Sequence, residues 1–266
     1  MEWNTPVEIN SSAWKIAPTD NILCIGSCFA DNIGRKFEEA LFSITCNPYG
    51  VMYNPISILH SLTRWLTDTT ALPDVLILTL GTNHVYRLKR TGEIVDNCQK
   101  QPQNWFQEEE LSVADCAKAL GEAIQQVKNR NANAKIVLTV SPIRYQKYGF
   151  HGSQLSKATL LLATHELVKA GKADYFPAYE IMNDALRDYR FYAEDMLHPT
   201  PQAVSYIWEA FGKAYFSANT HDYLREWQPI KAALNHRPFD AESDAYKAFR
   251  AKAEQQKQAF LKKWKG

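Results

Sequence analysis

The alternation of apolar strands with amphipathic helices predicts an α/β fold. The expected form is a three-layer α/β/α sandwich with a central parallel five-stranded sheet in flavodoxin-like order 2-1-3-4-5. Two observations carry this. The runs Ile22-Leu23-Cys24-Ile25 and Val75-Leu76-Ile77-Leu78-Thr79-Leu80 are almost wholly apolar, as strands covered on both faces must be. Between and after them lie segments with apolar residues at helical spacing, so strand and helix alternate along the chain. In such a sheet ligands bind at the carboxyl ends of the strands.

The elements follow in order. After an irregular arm, the first strand closes on Gly26 and opens into a helix, where Phe29, Ile33, Phe37 and Leu41 recur every four residues as one buried stripe. A second strand is expected at 43–46 and a turn at Asn47-Pro48-Tyr49-Gly50. Pro55 then opens a helix through Ile58, Leu59, Leu62 and Leu66. The strand at 75–80 lies between Pro73 and Gly81. Residues 85–94 predict a hairpin turning at Thr91-Gly92, followed by a Gln- and Asn-rich loop from 96 to 106. Next come a helix over 112–130, a strand over 135–140, a helix over 154–170, a short strand over 173–176 and a last core helix over 201–216. From about residue 240 a charged helix carries Tyr246, Phe249, Phe260, Leu261 and Trp264, which would dock on the body or on a second subunit. The expected division is a domain of residues 1–236 and a helical tail of 237–266.

Composition bounds the function. With 266 residues, 45% of them hydrophobic, the chain can bury a sizeable core. A formal net charge of +1 predicts no broad electrostatic footprint for nucleic acid or an anionic membrane. Cys24, Cys28, Cys46, Cys98 and Cys116 are odd in number and lack C-x-x-C spacing, which argues against a disulfide scaffold or a zinc site and for a reducing compartment. The start has no basic segment leading into an apolar one, and no stretch has the apolar length of a membrane span. A soluble cytoplasmic protein is expected.

The candidate chemistry lies in two distant segments. In Asp195-Met196-Leu197-His198 the carboxylate can accept from one ring nitrogen and leave the other outward as a base. Ser27 follows the glycine that closes the first strand, so it stands where free helix N–H groups converge. Taken singly, Ser27 also reads as a helix N-cap and Asp195/His198 as a surface pair. One sheet edge would unite them. Cys28 is a rival nucleophile at the same terminus, and a buried inert cysteine is its other reading. Asn83, two residues past Gly81, can donate to an oxyanion or simply shape a turn. His84 is the second candidate base. Arg144 and Tyr145 follow Ser141-Pro142 and could contact a polar substrate, and His151 could line a pocket.

Gly26-Ser27-Cys28-Phe29-Ala30 spells the motif of the GSCFA family. Asn47-Pro48-Tyr49-Gly50-Val51-Met52-Tyr53-Asn54-Pro55, Leu80-Gly81-Thr82, Val85-Tyr86, Asn97-Cys98, Ser141-Pro142-Ile143-Arg144, Ser156-Lys157-Ala158 and Tyr192-Ala193-Glu194-Asp195-Met196-Leu197-His198-Pro199 resemble that family too, from about residue 20 to 215. The family is similar to the SGNH (GDSL-like) hydrolases. That resemblance implies the three-layer fold and acyl chemistry through a serine acyl-enzyme. Ser27 matches the nucleophile, Asp195 and His198 the terminal pair, and Asn83 and Gly50 the oxyanion hole, together with the backbone N–H of Ser27. Two departures stand out: Gly26 replaces the carboxylate that precedes the nucleophile, and His84 replaces an aspartate after Asn83, altering the substrate pocket.

The reading is therefore a cytoplasmic serine esterase or acyltransferase, without metal or cofactor, acting on a small-molecule or carbohydrate acyl ester. His84, Tyr86 and Arg144 are the expected substrate contacts. No nucleic acid and no membrane partner is expected. The alternative is a non-catalytic glycan-binding or assembly protein that keeps the fold.

Overall fold

The computed structural model describes residues 5–265. Its main sheet is built from β1 (Asn21–Gly26), β2 (Ser43–Cys46), β3 (Val75–Leu80), β7 (Lys135–Val140) and β8 (Asp174–Tyr175), in the order β2-β1-β3-β7-β8. All neighbours are parallel, with Ile22 opposite Ile44 on one side and Val75 on the other, and Val75 opposite Lys135. This is the expected five-stranded order.

Because side chains alternate across a strand, each strand feeds both layers. Ile22, Cys24, Val75, Ile77 and Val137 face one layer, made by α1 (Cys28–Glu39), α6 (Pro201–Tyr215) and α7 (Ala218–Leu234). Leu23, Ile25, Leu76, Leu78, Ile136 and Leu138 face the other, made by α2 (Pro55–Asp68), α3 (Val113–Arg130) and α4 (Gly149–Lys169). The result is the three-layer sandwich.

The 85–94 hairpin is present as β4 (His84–Leu88) and β5 (Ile94–Val95), with the Gly92 N–H closing on Leu88 O at 2.8 Å. A third strand, β6 (Phe106–Glu110), pairs with β4 to make a separate antiparallel sheet. Its three consecutive glutamates hide it in the sequence. They are tolerated because Arg87 faces Glu109 at 2.9 Å and Lys147 faces Glu108 at 2.8 Å.

Helix α4 starts at Gly149, earlier than the expected 154, and α7 was not expected at all. Pro229 inside α7 breaks the sequence signal, yet the helix continues through it. Between β8 and α6 lie a single turn, α5 (Ala178–Glu180), and a π turn over Ile181–Ala185.

Helix α8 (Asp244–Lys265) docks on α7 of the same chain. Phe260 is 2% exposed and packs on Tyr223 and Trp227, at 4.8 and 5.3 Å between ring centroids. Tyr223 Oη and Trp227 Nε1 donate to the carbonyls of Ala40 and Glu39, groups that the end of α1 leaves unpaired. Among the described residues no helix is long and apolar enough to cross a membrane.

Candidate active site

β1, β3 and β7 end at one edge, and the loops that follow them carry most of the expected residues. Gly26 has φ +149°, and a Cβ there would sit 2.1 Å from the Thr79 carbonyl oxygen. Only glycine lets β1 turn so close to β3. The turn is stitched from outside: Asn47 Oδ1 accepts from the Gly26 N–H at 2.8 Å, and the Met52 N–H donates to Gly26 O at 2.9 Å.

Ser27 caps α1. Its Oγ accepts from the Phe29 N–H at 3.3 Å and lies 3.1 Å from Thr79 Oγ1, while its own N–H donates to Thr79 O at 2.9 Å. The residue has 0% exposure. Cys28, the first residue of the helix, is half-buried. Burial pushes its thiol up to about 11, against the pull of the Cys28 and Phe29 N–H groups and of Lys157.

Past β3, the Gly81 and Thr82 N–H groups donate to Tyr53 O at 2.8 and 2.9 Å. Asn83 is buried. Its amide donates to Leu111 O at 2.8 Å and its Oδ1 has no partner. His84 stacks on Tyr148 with ring centroids 3.6 Å apart, and burial lowers its basicity. Gly50 is the exposed residue of the half-buried 47–50 turn, at φ +90°, and its N–H closes on Asn47 O at 2.8 Å, so in this arrangement it offers no free donor. Tyr86 Oη is bonded to Lys147 within the Glu108 cluster. His151 is exposed in the first turn of α4.

The Asp195–His198 turn is sharply defined. Asp195 Oδ1 accepts from the Leu197 and His198 N–H groups at 2.9 and 3.0 Å, and Oδ2 lies 2.6 Å from His198 Nδ1. Those two backbone N–H groups, and then the imidazole, hold the carboxyl down at about 2. Met196 takes the left-handed conformation, φ +59°, that closes the turn. With Nδ1 engaged, Nε2 is the nitrogen left to act. Arg144, after β7, anchors this loop to the sheet edge: its N–H donates to Leu197 O at 3.1 Å and Nη1 to Met196 O at 3.2 Å. Its guanidinium lies over Phe150 at 4.1 Å. Arg144 is thus a strut of the loop here.

Pro199, next to His198, shares a cavity of about 160 Å³ with Asn32 and Arg35 of α1. Lys36 of α1 also donates to Ser205 of α6 at 2.9 Å. The two expected segments therefore lie on adjoining elements. Among the described residues, however, no hydrogen bond joins Ser27 to His198, and the serine hydroxyl is taken by Thr79.

Two features received no role in the sequence reading, although Lys157 stood in one of the family segments. Lys157 is 1% exposed and donates to Gly81 O at 2.7 Å and Ser141 O at 2.9 Å, and burial lowers its ammonium to about 7. Its signal was a lysine within the apolar stripe Leu160, Ala163, Leu167 of α4. The second is a cavity of about 860 Å³ between α2 and the small sheet, lined by Tyr49, Met52, His60, Arg64, Cys98 and Trp105. Its wall residue Met52 is the one bonded to Gly26, so the cavity adjoins the edge. Among the described residues no three His, Cys, Asp or Glu side chains group as metal ligands.

A model described as the GSCFA family matches residues 21–73 and 69–211, and one described as the GSCFA domain protein, C-terminal domain, matches 227–265. No curated protein matches the chain. Among solved structures it is similar to a mutant of Axe2, an acetyl-xylooligosaccharide esterase from Geobacillus Stearmophilus, at 14% identity over 77% of this chain and 98% of that one, with a TM-score of 0.52. It is similar to a catalytic mutant of Axe2, an acetylxylan esterase from Geobacillus stearothermophilus, at 14% identity over 76% and 97%, with a TM-score of 0.51. It is also similar to a member of the lipolytic protein G-D-S-L family from Veillonella parvula, at 12% identity over 71% and 94%, with a TM-score of 0.47. At these identities the two Axe2 structures speak to the fold alone.

Proposed function

The chain belongs to the GSCFA family, and from that premise we propose that it is an SGNH-type hydrolase that cleaves or transfers a small acyl ester. The observation that carries the reading is the Asp195–His198 pair, 2.6 Å apart and anchored by Arg144 at the carboxyl edge of the sheet. Asp195 fixes the tautomer in which Nδ1 carries the proton and Nε2 is a base. Ser27, released from Thr79, attacks the acyl carbonyl as Nε2 takes its proton. The alcohol leaves with that proton, and water or a second hydroxyl resolves the acyl-enzyme. Of the donors at this turn the Cys28 N–H is the one left for the oxyanion, because the Ser27 N–H is held by Thr79 O and the Phe29 N–H by Ser27 Oγ. Asn83 joins it only by turning from Leu111.

An acetylated carbohydrate is the substrate we favour. Axe2, which shares the fold, is an acetyl-xylooligosaccharide esterase, and Trp105 and Tyr49 line the large cavity beside the edge as sugar-stacking surfaces. A cytoplasmic location is part of the same reading and agrees with five free cysteines.

The burial of Ser27 favours a second reading, a glycan-binding protein without turnover. Hydrolysis of p-nitrophenyl acetate by the wild type and His198→Ala separates the two. An acyl-transfer site loses turnover on the order of a hundredfold or more in the variant. A wild type no faster than His198→Ala leaves the binding protein.

A further inference from the structure

We propose that the cavity between α2 and the small sheet holds the alcohol part of the ester, and that this part is an anionic sugar, charged through a carboxylate or a phosphate. The inference rests on the acetylated-carbohydrate reading above and names the charge that its substrate carries.

One segment of chain joins the cavity to the reacting edge. Asn47 Oδ1 and the Met52 N–H are the two groups that stitch Gly26 in place, and Tyr49 and Met52 line the cavity. The far wall comes from β4, β5 and residues 96–106, which stand outside the main sheet. A volume of about 860 Å³ suits a ligand much larger than an acetyl group.

The charge of this wall is one-sided. Arg64, Lys89 and Arg90 stand in it against a single carboxylate among the described residues, Asp96. That carboxylate is already engaged, with Oδ1 2.9 Å from His60 Nδ1. The whole chain has 30 Lys and Arg against 29 Asp and Glu, so the excess is local and draws anions to this place. Lys89 Nζ is held at the Asn104 carbonyl, 2.9 Å away, beside Trp105. The Arg64 guanidinium lies over the Tyr49 ring at 4.1 Å. Asp68, 3.6 Å from Arg64 Nε, accepts from Tyr49 Oη instead. A guanidinium so placed keeps its planar fork for the two oxygens of a carboxylate or phosphate.

Three further features fit a sugar and not a bare ion. Trp105 is 51% exposed, and its carbonyl accepts from the Lys89 N–H at 2.9 Å, which ties the residue to the end of β4. With Tyr49 it gives the cavity two aromatic rings that carry both apolar faces and polar edges. Ser61, also in the wall, is 2% exposed, and its Oγ has no hydrogen-bond partner. A buried hydroxyl left unpaired at a cavity is a partner for a ligand hydroxyl. Gln99 and Lys100 both take the left-handed conformation, at φ +47° and +58°, in the segment that closes the cavity. Two such residues in a row are strained, and strain of this kind gathers at ligand clamps.

The test is isothermal titration calorimetry of the full-length protein with trigalacturonate, glucose 6-phosphate and xylotriose, as carboxylate, phosphate and neutral probes. One anionic probe should bind roughly tenfold or more tighter than xylotriose, and added salt should weaken it. The double variant Arg64→Gln/Arg90→Gln should lose that preference, and Trp105→Ala should bind the anionic probe roughly tenfold or more weakly. All three side chains are exposed, so the variants should melt as the wild type does. The tighter of the two anions tells carboxylate from phosphate. Xylotriose bound as tightly as both anions overturns the assignment, and so does a preference that survives in the double variant. No heat from any probe overturns it too. Wild-type turnover of p-nitrophenyl acetate scores the acyl-transfer reading separately. Anionic preference without turnover upholds the cavity assignment and removes acyl transfer, and turnover without preference does the reverse.

Discussion

Lys157 Nζ donates to Gly81 O at 2.7 Å, and through its second bond to Ser141 O it joins the ends of β3 and β7 under the site. Burial lowers this ammonium from 10.5 to about 7. Between those values the unfolded chain binds the proton and the folded chain releases it, so Lys157 makes stability rise with pH across that window. Relative to Lys157→Met, the wild type should gain about 3 kcal/mol between pH 7 and pH 9.5. Urea unfolding of both proteins at the two pH values measures it. Parallel changes would show that the lysine does not titrate there.

Asp195→Asn should separate orientation from folding. Asparagine keeps one oxygen for the Leu197 and His198 N–H groups, so the turn survives, but its amide cannot accept from Nδ1. Esterase turnover should fall by roughly a thousandfold or more with KM and melting temperature little changed. In the wild type the carboxyl stays ionised until pH falls through about 2, so Asp195 itself should not set the acid limb of a pH–rate profile above pH 4. An acid limb above that pH which disappears in the variant would contradict this.

Gly26→Ala should be the costliest glycine substitution in the turn region. The added methyl meets the Thr79 carbonyl at 2.1 Å on a backbone at φ +149°, whereas Gly50 at φ +90° has nothing within 4 Å of its Cβ. Losses of about 3 kcal/mol or more against about 1 kcal/mol are expected from denaturant midpoints. Equal losses would mean that β1 and β3 lie further apart.

Phe260→Ala tests the seat of α8. The ring is 2% exposed between Tyr223 and Trp227, so truncation should remove about 3 kcal/mol of stability. The loss should be independent of protein concentration, because the seat is on the same chain. A concentration-dependent midpoint would indicate docking on a second copy.

The sheet was legible because Val75–Leu80 and Lys135–Val140 are apolar on both faces, and the turn at Asp195–His198 because its bonds are local. What stayed hidden depends on distant partners. Phe106–Glu110 is held as a strand by its ladder with β4, where Arg87 and Lys147 face two of its glutamates, and α7 runs on through the exposed Pro229 with α8 packed on the same helix. In the site, spacing brought Ser27 and Cys28 forward together. Which of them faces outward is settled by Thr79, 52 positions away from Ser27.

The carbonyls that end α1 are secured by Tyr223, 183 positions from Ala40, and by Trp227, 188 positions from Glu39. A helix that can coil within the first moments of synthesis therefore waits for almost the whole polypeptide before its tilt is fixed. Until then its apolar stripe has the strands β1, β2 and β3 beneath it but lacks the cover of the C-terminal helices. Contacts so distant along the polypeptide are the kind whose loop-closure entropy must be met before they reward folding, which places the setting of α1 among the late steps.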